Sequence, residues 1–212
     1  MQDKELRKII VDIGRRMYNA GFVAANDGNI SVKITEDRIL TTPTGVSKGF
    51  MTEDMMVLVD RKGNVIEGDN KPSTELKMHL KVYDENPMVK SVCHAHPPIS
   101  TAFGVAGVDM NKPIIAESIL TLKNVPILPY AELGSNAVAD TIAPYCKDYV
   151  AVILAHHGVV TWGKDLFDAY YRMESMEHYG KIYIYSKLLG NQNILSDDEV
   201  KALIKIGEER SK

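Results

Sequence analysis

Apolar positions along the chain recur at two spacings, one typical of helices and one typical of strands. Near the N-terminus the helical spacing predicts a helix over residues 4–20, ended by Gly21. Its apolar face comprises Leu6, Ile9, Ile10, Ile13 and Met17. A longer helix is predicted from Asp165, whose side chain suits an N-cap, to Leu189, where Gly190 ends it.

Short runs rich in β-branched residues predict strands, and further helices lie between them. The predicted strands are Ile30–Ile34, Arg38–Thr41, Met56–Asp60, Val65–Glu67, Val89–His94, Pro126–Pro129 and Tyr149–Ala155. The predicted helices are Glu75–Tyr83, Ser100–Ala106, Asn136–Ala143 and a last helix opened by Ser196–Glu199. Because strands and helices do not alternate regularly, the pattern favours an α/β sandwich with a mixed or antiparallel sheet over a doubly wound fold. No repeat or long linker interrupts residues 1–212, which predicts a single domain.

The composition argues against several classes of protein. The chain has 212 residues, 45% of them hydrophobic and 25% charged, and its net charge of -3 argues against nucleic acid as a partner. No apolar stretch approaches the roughly 20 residues that span a bilayer, so no membrane partner is expected. With two cysteines, Cys93 and Cys146, and no signal-peptide pattern, the expected location is the cytoplasm.

Two histidines at the end of a predicted strand form the sharpest chemical feature. His94 and His96 are two residues apart, so their side chains point to the same face of the strand while Ala95 points away. Pro97-Pro98 then ends the strand and leaves the pair at its mouth. By the same alternation Cys93 faces away from the pair and is expected in the core.

A second pair, His156 and His157, follows the apolar strand Tyr149–Ala155. Neighbouring residues of a strand face opposite ways, so only one of the two is expected to join the first pair, and the residue pattern leaves both open. Three neutral imidazoles leave a coordination position free, which is typical of a catalytic zinc site. His79 and His178 fall inside predicted helices and are expected to be packing or surface residues.

Three segments rich in glycine and small polar residues are candidates for holding an anion through backbone N–H groups. They are Asn26–Asn29, Thr42–Ser47 and Pro72–Thr74, the last of them at a predicted helix start. Lys48 would add positive charge. Glu75 follows in the first turn of that helix, where a carboxylate either complements the helix dipole or acts as a general acid/base, and the composition leaves both interpretations open.

Seven short motifs occur in order and with compatible spacing over nearly the whole chain. They are Gly28-Asn29-Ile30-Ser31, Thr42-Pro43-Thr44-Gly45, Pro72-Ser73-Thr74-Glu75, His94-Ala95-His96, Pro129-Tyr130-Ala131, His156-His157-Gly158 and Leu195-Ser196-Asp197-Asp198-Glu199. Together they resemble the class II aldolase/adducin superfamily and, within it, the L-fuculose-1-phosphate aldolases.

The resemblance implies a three-layer α/β/α sandwich with a central, mainly antiparallel sheet, assembled as a homotetramer with active sites near the subunit interfaces. It implies one zinc ion per subunit, bound by His94, His96 and His157, with Glu75 as the acid/base and, in the empty enzyme, a fourth ligand. The phosphate of a small sugar substrate would be held by Gly28, Asn29, Thr44, Gly45, Ser73 and Thr74. The implied reaction cleaves L-fuculose 1-phosphate, or a related deoxy or methylthio pentulose phosphate, to dihydroxyacetone phosphate and an aldehyde. No Schiff-base lysine is needed, because the metal withdraws the electrons.

The chain departs from these aldolases at the end of the site that takes the aldehyde. Their catalytic tyrosine corresponds to the segment Ile115–Glu117, which contains no tyrosine here, and their aromatic residue after the Pro-Tyr-Ala motif is replaced by Leu133. The C-terminal segment 204–212 has no aromatic residue either. A different aldehyde is therefore expected, with Glu117 or Tyr130 as candidates for a role at that end.

Other functions are open on the same scaffold. A ribulose-phosphate 4-epimerase or a methylthioribulose-1-phosphate dehydratase would use the same metal without releasing dihydroxyacetone phosphate. A non-catalytic, adducin-like interaction module would need no metal, and the presence of all three histidines together with Glu75 disfavours it.

Overall fold

The structure, a computed structural model, describes residues 2–210, so residues 211 and 212 of the C-terminal segment lie outside it. The helices are α1 (Gln2–Asn19), α2 (Leu76–Glu85), α3 (Pro98–Ala106), α4 (Ala116–Thr121), α5 (Ala137–Ile142), α6 (Leu166–Leu188) and α7 (Asp197–Arg210). The strands are β1 (Asn29–Thr35), β2 (Arg38–Thr41), β3 (Val57–Val59), β4 (Val65–Glu67), β5 (Ser91–Ala95), β6 (Ile127–Leu128), β7 (Ala151–Leu154) and β8 (Gly158–Gly163). Short 3₁₀ segments occur at Lys48–Phe50, Glu53–Met55 and Ala143–Tyr145.

Across residues 2–210 the strands form one sheet, in the order β4-β3-β2-β1-β5-β8-β7-β6. Neighbouring strands are antiparallel except β6 and β7, which are parallel. The strands β5, β7 and β8 are buried at every residue. Because both of their faces are covered, their sequences are nearly continuous apolar runs rather than alternating ones.

Each face of the sheet packs against its own helices, so the chain forms three layers. On one face, α1, α3 and α6 cover sheet residues that include Ile30, Cys93 and Val159. On the other face, α2 and α5 cover residues that include Val92 and Trp162. Cys93 is thus a buried core residue that faces away from the α2 side, as the alternation predicted.

This architecture confirms the predicted sandwich and its mainly antiparallel sheet. The Asp165 side chain caps α6 by accepting a hydrogen bond from the N–H of Asp168 at 2.8 Å. Ser196 and Glu199 form the predicted capping box at the start of α7. The helix α2 begins one residue later than predicted, which makes Glu75 its N-cap residue.

Two elements were missed by the sequence prediction. The strand β8 carries the strand-forming run Val159–Trp162, but the glycines at both of its ends weaken the pattern. The helix α4 is only 6 residues long, which is too short for a periodic apolar face to be recognised. Of the helices described, none combines the length and the apolar character that crossing a membrane requires.

Candidate metal centre and active site

Adjacent strand ends in the centre of the sheet bring the histidines together. His94 lies within β5, and His96 follows the end of that strand. The strand β8 runs antiparallel to β5, with Val160 opposite His94. The tight turn between β7 and β8 places His157 immediately before Gly158, the first residue of β8. Residues far apart in the chain therefore meet at the ends of two neighbouring central strands.

The conformation of this turn decides which of the two adjacent histidines joins the others. His156 adopts the left-handed backbone conformation, with φ 58°, and the N–H of His157 donates to the carbonyl oxygen of Leu154 at 3.1 Å. His156 is exposed, whereas the side chain of His157 is only 7% exposed. The structure therefore places His157 rather than His156 beside His94.

The three histidines form a compact cluster. The ring centroids of His94, His96 and His157 are 4.7 to 5.2 Å apart. One nitrogen from each ring lies within 4.8 Å of the others. Ligand nitrogens around a tetrahedral zinc ion lie roughly 3 to 4 Å apart, so a small closure of the cluster would suit a divalent metal.

The groups that face the Nδ1 atoms of His94 and His96 leave their Nε2 atoms available to a metal. Nδ1 of His94 lies 2.9 Å from the carbonyl oxygen of Val159, which can only accept, so Nδ1 carries the proton and Nε2 has the lone pair. Nδ1 of His96 faces the Asp27 carboxylate at 3.4 Å, with the same consequence. The two Nε2 atoms then face each other at 3.3 Å. Two lone pairs so close repel each other unless a cation lies between them.

A proton is a poor cation for that position. Burial lowers the pKa of His94 to about 3, against the opposing effect of the Glu75 carboxylate. Burial likewise lowers the pKa of His96. Both rings are therefore neutral near pH 7, the form in which imidazole binds metals. The donor set could hold a divalent metal.

Glu75 lies beside this cluster at the start of α2. Its carboxylate oxygens are 3.0 Å from Nε2 of His157 and 3.4 Å from Nε2 of His94, and Nδ2 of Asn29 donates to it at 2.8 Å. Burial acts to raise the pKa of Glu75, whereas the hydrogen bonds from His157 and Asn29 act to lower it, and the pKa lies below its ordinary value. The side chain makes no capping hydrogen bond to α2. Its contacts with Asn29 and the histidines, rather than a capping bond, therefore account for its orientation.

The loop Asn26–Asn29, between α1 and β1, lies against the histidine cluster and Glu75 at three points. Asp27 faces His96, and Asn29 donates to Glu75. Gly28 has φ 74°, and a Cβ there would lie 2.9 Å from the carbonyl oxygen of His94, so the close approach requires glycine. Sequence reasoning missed the role of Asp27, although its position inside a glycine-containing motif was a signal.

The three segments predicted to hold an anion also meet in space. The N–H of Thr42 donates to the carbonyl of Ile30 at 3.0 Å, and the N–H of Ser73 donates to the carbonyl of Thr42 at 3.3 Å. Pro43 and Pro72 form an isolated bridge. Gly45, with φ 73°, has open space where a Cβ would lie. These backbone contacts bring Thr42–Ser47 and Pro72–Thr74 together, and Asn29 reaches the start of α2 through its hydrogen bond to Glu75.

Other candidate residues do not belong to the histidine cluster. His79 is fully buried, with Nδ1 2.7 Å from Oγ of Ser31, and His178 is exposed, so neither joins the cluster. Glu117 is exposed, and Tyr130 and Leu133 are 63% and 54% exposed. A narrow cleft next to Glu75 is lined by Thr74, Glu75, Lys77, Met78, Gly134, Ser135, Val138 and Ala139.

Comparison with known protein families agrees with this arrangement. The Class II Aldolase and Adducin N-terminal domain matches residues 8–184, a range that contains the histidine cluster, Glu75 and all three segments predicted to hold an anion. The chain belongs to the class II aldolase and adducin family.

Members of the family that resemble the chain carry more than one activity. The 3-oxo-tetronate 4-phosphate decarboxylase of Haemophilus influenzae is 34% identical over 209 residues, covering 96% of this chain and 98% of that protein. The L-fuculose phosphate aldolase of Methanocaldococcus jannaschii is 35% identical over 183 residues, covering 86% of this chain and 98% of that protein. The crystal structure of Escherichia coli YgbL, described as a candidate aldolase/epimerase/decarboxylase, matches with a TM-score of 0.90 and 29% identity, covering 96% of this chain and 100% of that chain.

Proposed function

We propose that this chain is a zinc-dependent carbon–carbon lyase that forms the enediolate of dihydroxyacetone phosphate from a small phosphorylated substrate. The observation that carries the proposal is the placement of His94, His96 and His157 together with Glu75. Imidazole ligands suit zinc, and three of them leave room for a substrate. Bound zinc would act as a Lewis acid that polarises the substrate carbonyl and draws electrons from the bond that breaks.

Glu75 is the proposed acid/base. The enediolate must take up one proton on carbon to become dihydroxyacetone phosphate. The Glu75 carboxylate would take this proton from water and deliver it to the carbon beside it. Asn29 holds one oxygen of Glu75 at 2.8 Å and so orients the group. The contacts of Glu75 with His94 and His157 also support its role as a fourth metal ligand in the absence of substrate.

The phosphate is proposed to lie at the start of α2. Free N–H groups at a helix N-terminus and in glycine-containing turns are suited to an anion. The N–H groups of Thr44 and Ser73 already donate to carbonyl oxygens, so these two residues would contribute their hydroxyl groups. The residues proposed to hold it are Gly28, Asn29, Thr44, Gly45, Ser73 and Thr74. Asn29 would serve both ends of the site, since its side-chain amide already donates to Glu75.

Two reactions fit this machinery and differ only in the leaving group. A ketose 1-phosphate, such as L-fuculose 1-phosphate or a deoxy or methylthio pentulose phosphate, would lose an aldehyde, and a base must remove the hydroxyl proton at the leaving carbon. A 3-oxo-tetronate 4-phosphate would lose carbon dioxide, which leaves without that proton transfer. Both reactions produce the same enediolate.

The absence of a tyrosine in Ile115–Glu117 favours the decarboxylation, because no base is then needed at that end. Aldol cleavage would require Glu117 or Tyr130 to replace the missing tyrosine. The 34% identity to the Haemophilus influenzae decarboxylase supports the first reaction, and the 35% identity to the Methanocaldococcus jannaschii aldolase supports the second.

Product analysis with zinc-loaded protein tests the proposal. Dihydroxyacetone phosphate is followed by reduction with a coupled dehydrogenase, carbon dioxide by a ¹³C-labelled carboxyl group, and aldehyde by chemical trapping. We expect dihydroxyacetone phosphate to appear and a chelator to abolish it. An epimerised or dehydrated sugar phosphate in its place would support the epimerase or the dehydratase. A well-folded protein that takes up no zinc would support the adducin-like module.

We further propose that residues 1–212 form one domain that assembles as a cytoplasmic homotetramer. Apolar side chains near the end of α6 support the assembly, since Tyr185, Leu188 and Leu189 are 63%, 78% and 89% exposed and would be covered by a neighbouring subunit. Light scattering coupled to size-exclusion chromatography measures the number of subunits, and a monomer would contradict this proposal.

A further inference from the structure

Lys48 is a lysine buried beneath the anion-holding segments. It begins the 3₁₀ segment Lys48–Phe50 and is 1% exposed. Its Nζ donates to the carbonyl oxygens of Val46 at 2.6 Å and of Asn26 at 3.2 Å. Among the described residues no carboxylate forms an ion pair with it. A buried ammonium held by neutral acceptors alone is unfavourable unless another partner offsets its charge.

The two carbonyl groups belong to different anion-holding segments. Asn26 opens the loop Asn26–Asn29, and Val46 lies in Thr42–Ser47. Lys48 therefore ties these two segments together. An ammonium group has three N–H donors, and the two carbonyls use two of them. The third has no acceptor in the part of the chain that the structure describes.

The loop that Lys48 anchors also supports the metal side. Asp27 faces His96 at 3.4 Å, and Asn29 donates to Glu75 at 2.8 Å. A displacement of this loop would therefore move the anion-holding backbone and the supports of two candidate metal-site residues together. Lys48 therefore connects the segments proposed to hold the anion with the loop that supports His96 and Glu75.

The charges around Lys48 favour an anion as its additional partner. Burial lowers the pKa of Lys48 to about 8, although Asp27 and Glu75 act to raise it, so the ammonium keeps its proton at neutral pH. Asp27 and Glu75 are themselves engaged with histidines. A phosphate dianion held by the two segments that Lys48 joins would supply the negative charge that the buried ammonium lacks.

We propose that Lys48 is a positioning residue that holds Asn26–Asn29 and Thr42–Ser47 in their anion-binding arrangement and offsets the charge of the bound phosphate. The inference rests on the proposed function, because the anion is the phosphate of the proposed substrate. It assigns to a buried side chain a role that the exposed lysines near the site, Lys71 and Lys77, do not share.

Binding of inorganic phosphate to zinc-loaded protein, measured by titration calorimetry, tests the inference without a substrate. Lys48→Met removes the charge and the donors, and Lys48→Gln removes the charge but keeps two donors. Lys62→Met, at an exposed turn, is the matched control. We expect Lys48→Met to weaken phosphate binding about tenfold or more, the size of a charge-assisted hydrogen bond. Lys48→Gln should lie between it and the wild type, and the control should match the wild type.

Zinc content and the fluorescence of Trp162, the single tryptophan, report whether each variant folds. A folded Lys48→Met protein that binds zinc and phosphate like the wild type would overturn the inference. If Lys48→Met does not fold, Lys48→Gln is judged by the same criterion, and loss of folding in both would assign Lys48 to stability and overturn the inference too. Failure of the wild-type protein to bind phosphate would instead overturn the proposed phosphate site, and this inference with it.

Discussion

The metal side of the candidate site, formed by the three histidines and Glu75, differs from the residues proposed for the leaving-group end. Those residues are Glu117, Tyr130 and Leu133, and we call them the outer side. On the metal side, His94, His96 and Glu75 are each held by a contact from another segment of the chain. On the outer side, Tyr130 and Leu133 are 63% and 54% exposed and project from a loop. The metal side is a network of residues in mutual contact, whereas the outer side consists of exposed residues.

This difference indicates which residues of such a site can be substituted without disturbing the others. A ligand in an interlocked network cannot be replaced without disturbing its partners, whereas an exposed loop residue can change alone. The relatives of the chain include both a decarboxylase and aldolases. Under the proposed function, the enediolate chemistry would belong to the metal side and the outer side would select the leaving group.

Replacing one ligand should break the metal side outright. For His157→Ala we expect zinc affinity to fall at least about 100-fold and lyase activity to reach background, because two imidazoles hold zinc poorly. Elemental analysis and the release of dihydroxyacetone phosphate measure both effects. The control is His156→Asn, since asparagine tolerates the left-handed backbone of that adjacent histidine. Full zinc occupancy in His157→Ala would refute the assignment.

Glu75→Gln separates proton transfer from metal binding. The three histidines remain, so we expect zinc to be retained while kcat falls about 10²- to 10⁴-fold, the usual effect of losing a general acid/base. Steady-state kinetics on the zinc-loaded variant give the result. Glu85→Gln, at the other end of α2, is the control and should behave like the wild type. Wild-type kcat in Glu75→Gln would exclude Glu75 as the acid/base.

Asp27→Asn tests a support of the metal side rather than a ligand. The Asp27 carboxylate orients His96 through Nδ1, and its neutralisation should weaken zinc affinity about tenfold. Competition with a fluorescent chelator measures the change, and excess zinc should restore most activity. An exposed counterpart, Asp37→Asn, should leave the affinity unchanged. Equal affinities for the two variants would show that the Asp27 contact is not functional.

Phosphate binding should depend on pH through Lys48. Its pKa of about 8 lies below the ordinary value of lysine, so the positive charge is present below that pH and is lost above it. We expect the affinity for inorganic phosphate to fall several-fold between neutral pH and a pH of about 9.5. The fall corresponds to the loss of one charged donor, because phosphate itself is a dianion above a pH of about 8. Calorimetry over this range should show a shallower decrease in Lys48→Met, and parallel curves would contradict the assignment.

The smallest effects are expected on the outer side. Tyr130→Phe and Glu117→Gln alter exposed groups, so zinc and phosphate binding should change by less than about twofold. Any effect should fall on kcat with an aldehyde-releasing substrate and not with a carbon dioxide-releasing one, because only the former needs a base there. A loss of zinc in either variant would show that the two sides are not independent.

Much of the fold could be predicted because its signals are local. The cap at Asp165 and the capping box at Ser196 depend on residues three positions apart, and both occur in the structure. The same holds for the burial of Cys93, which follows from strand alternation. The helix α4 and the strand β8 escaped prediction because one is very short and the other is bounded by glycines.

What the sequence determined by itself was the set of chemical groups and their local geometry. The spacing of His94 and His96 already placed both side chains on one face, because alternation along a strand is a property of the backbone. The glycine-containing motifs likewise predicted which segments hold an anion, and this stays a prediction.

Only the tertiary structure decided which distant groups meet. The choice of His157 over His156 depends on a left-handed residue in the turn between β7 and β8, which the alternation rule cannot anticipate. The contacts of Asp27 with His96, and of Lys48 with Asn26, join segments that are separated in the chain. Such contacts follow from the order of strands in the sheet and the packing of the loops at its edge, and no local pattern encodes them.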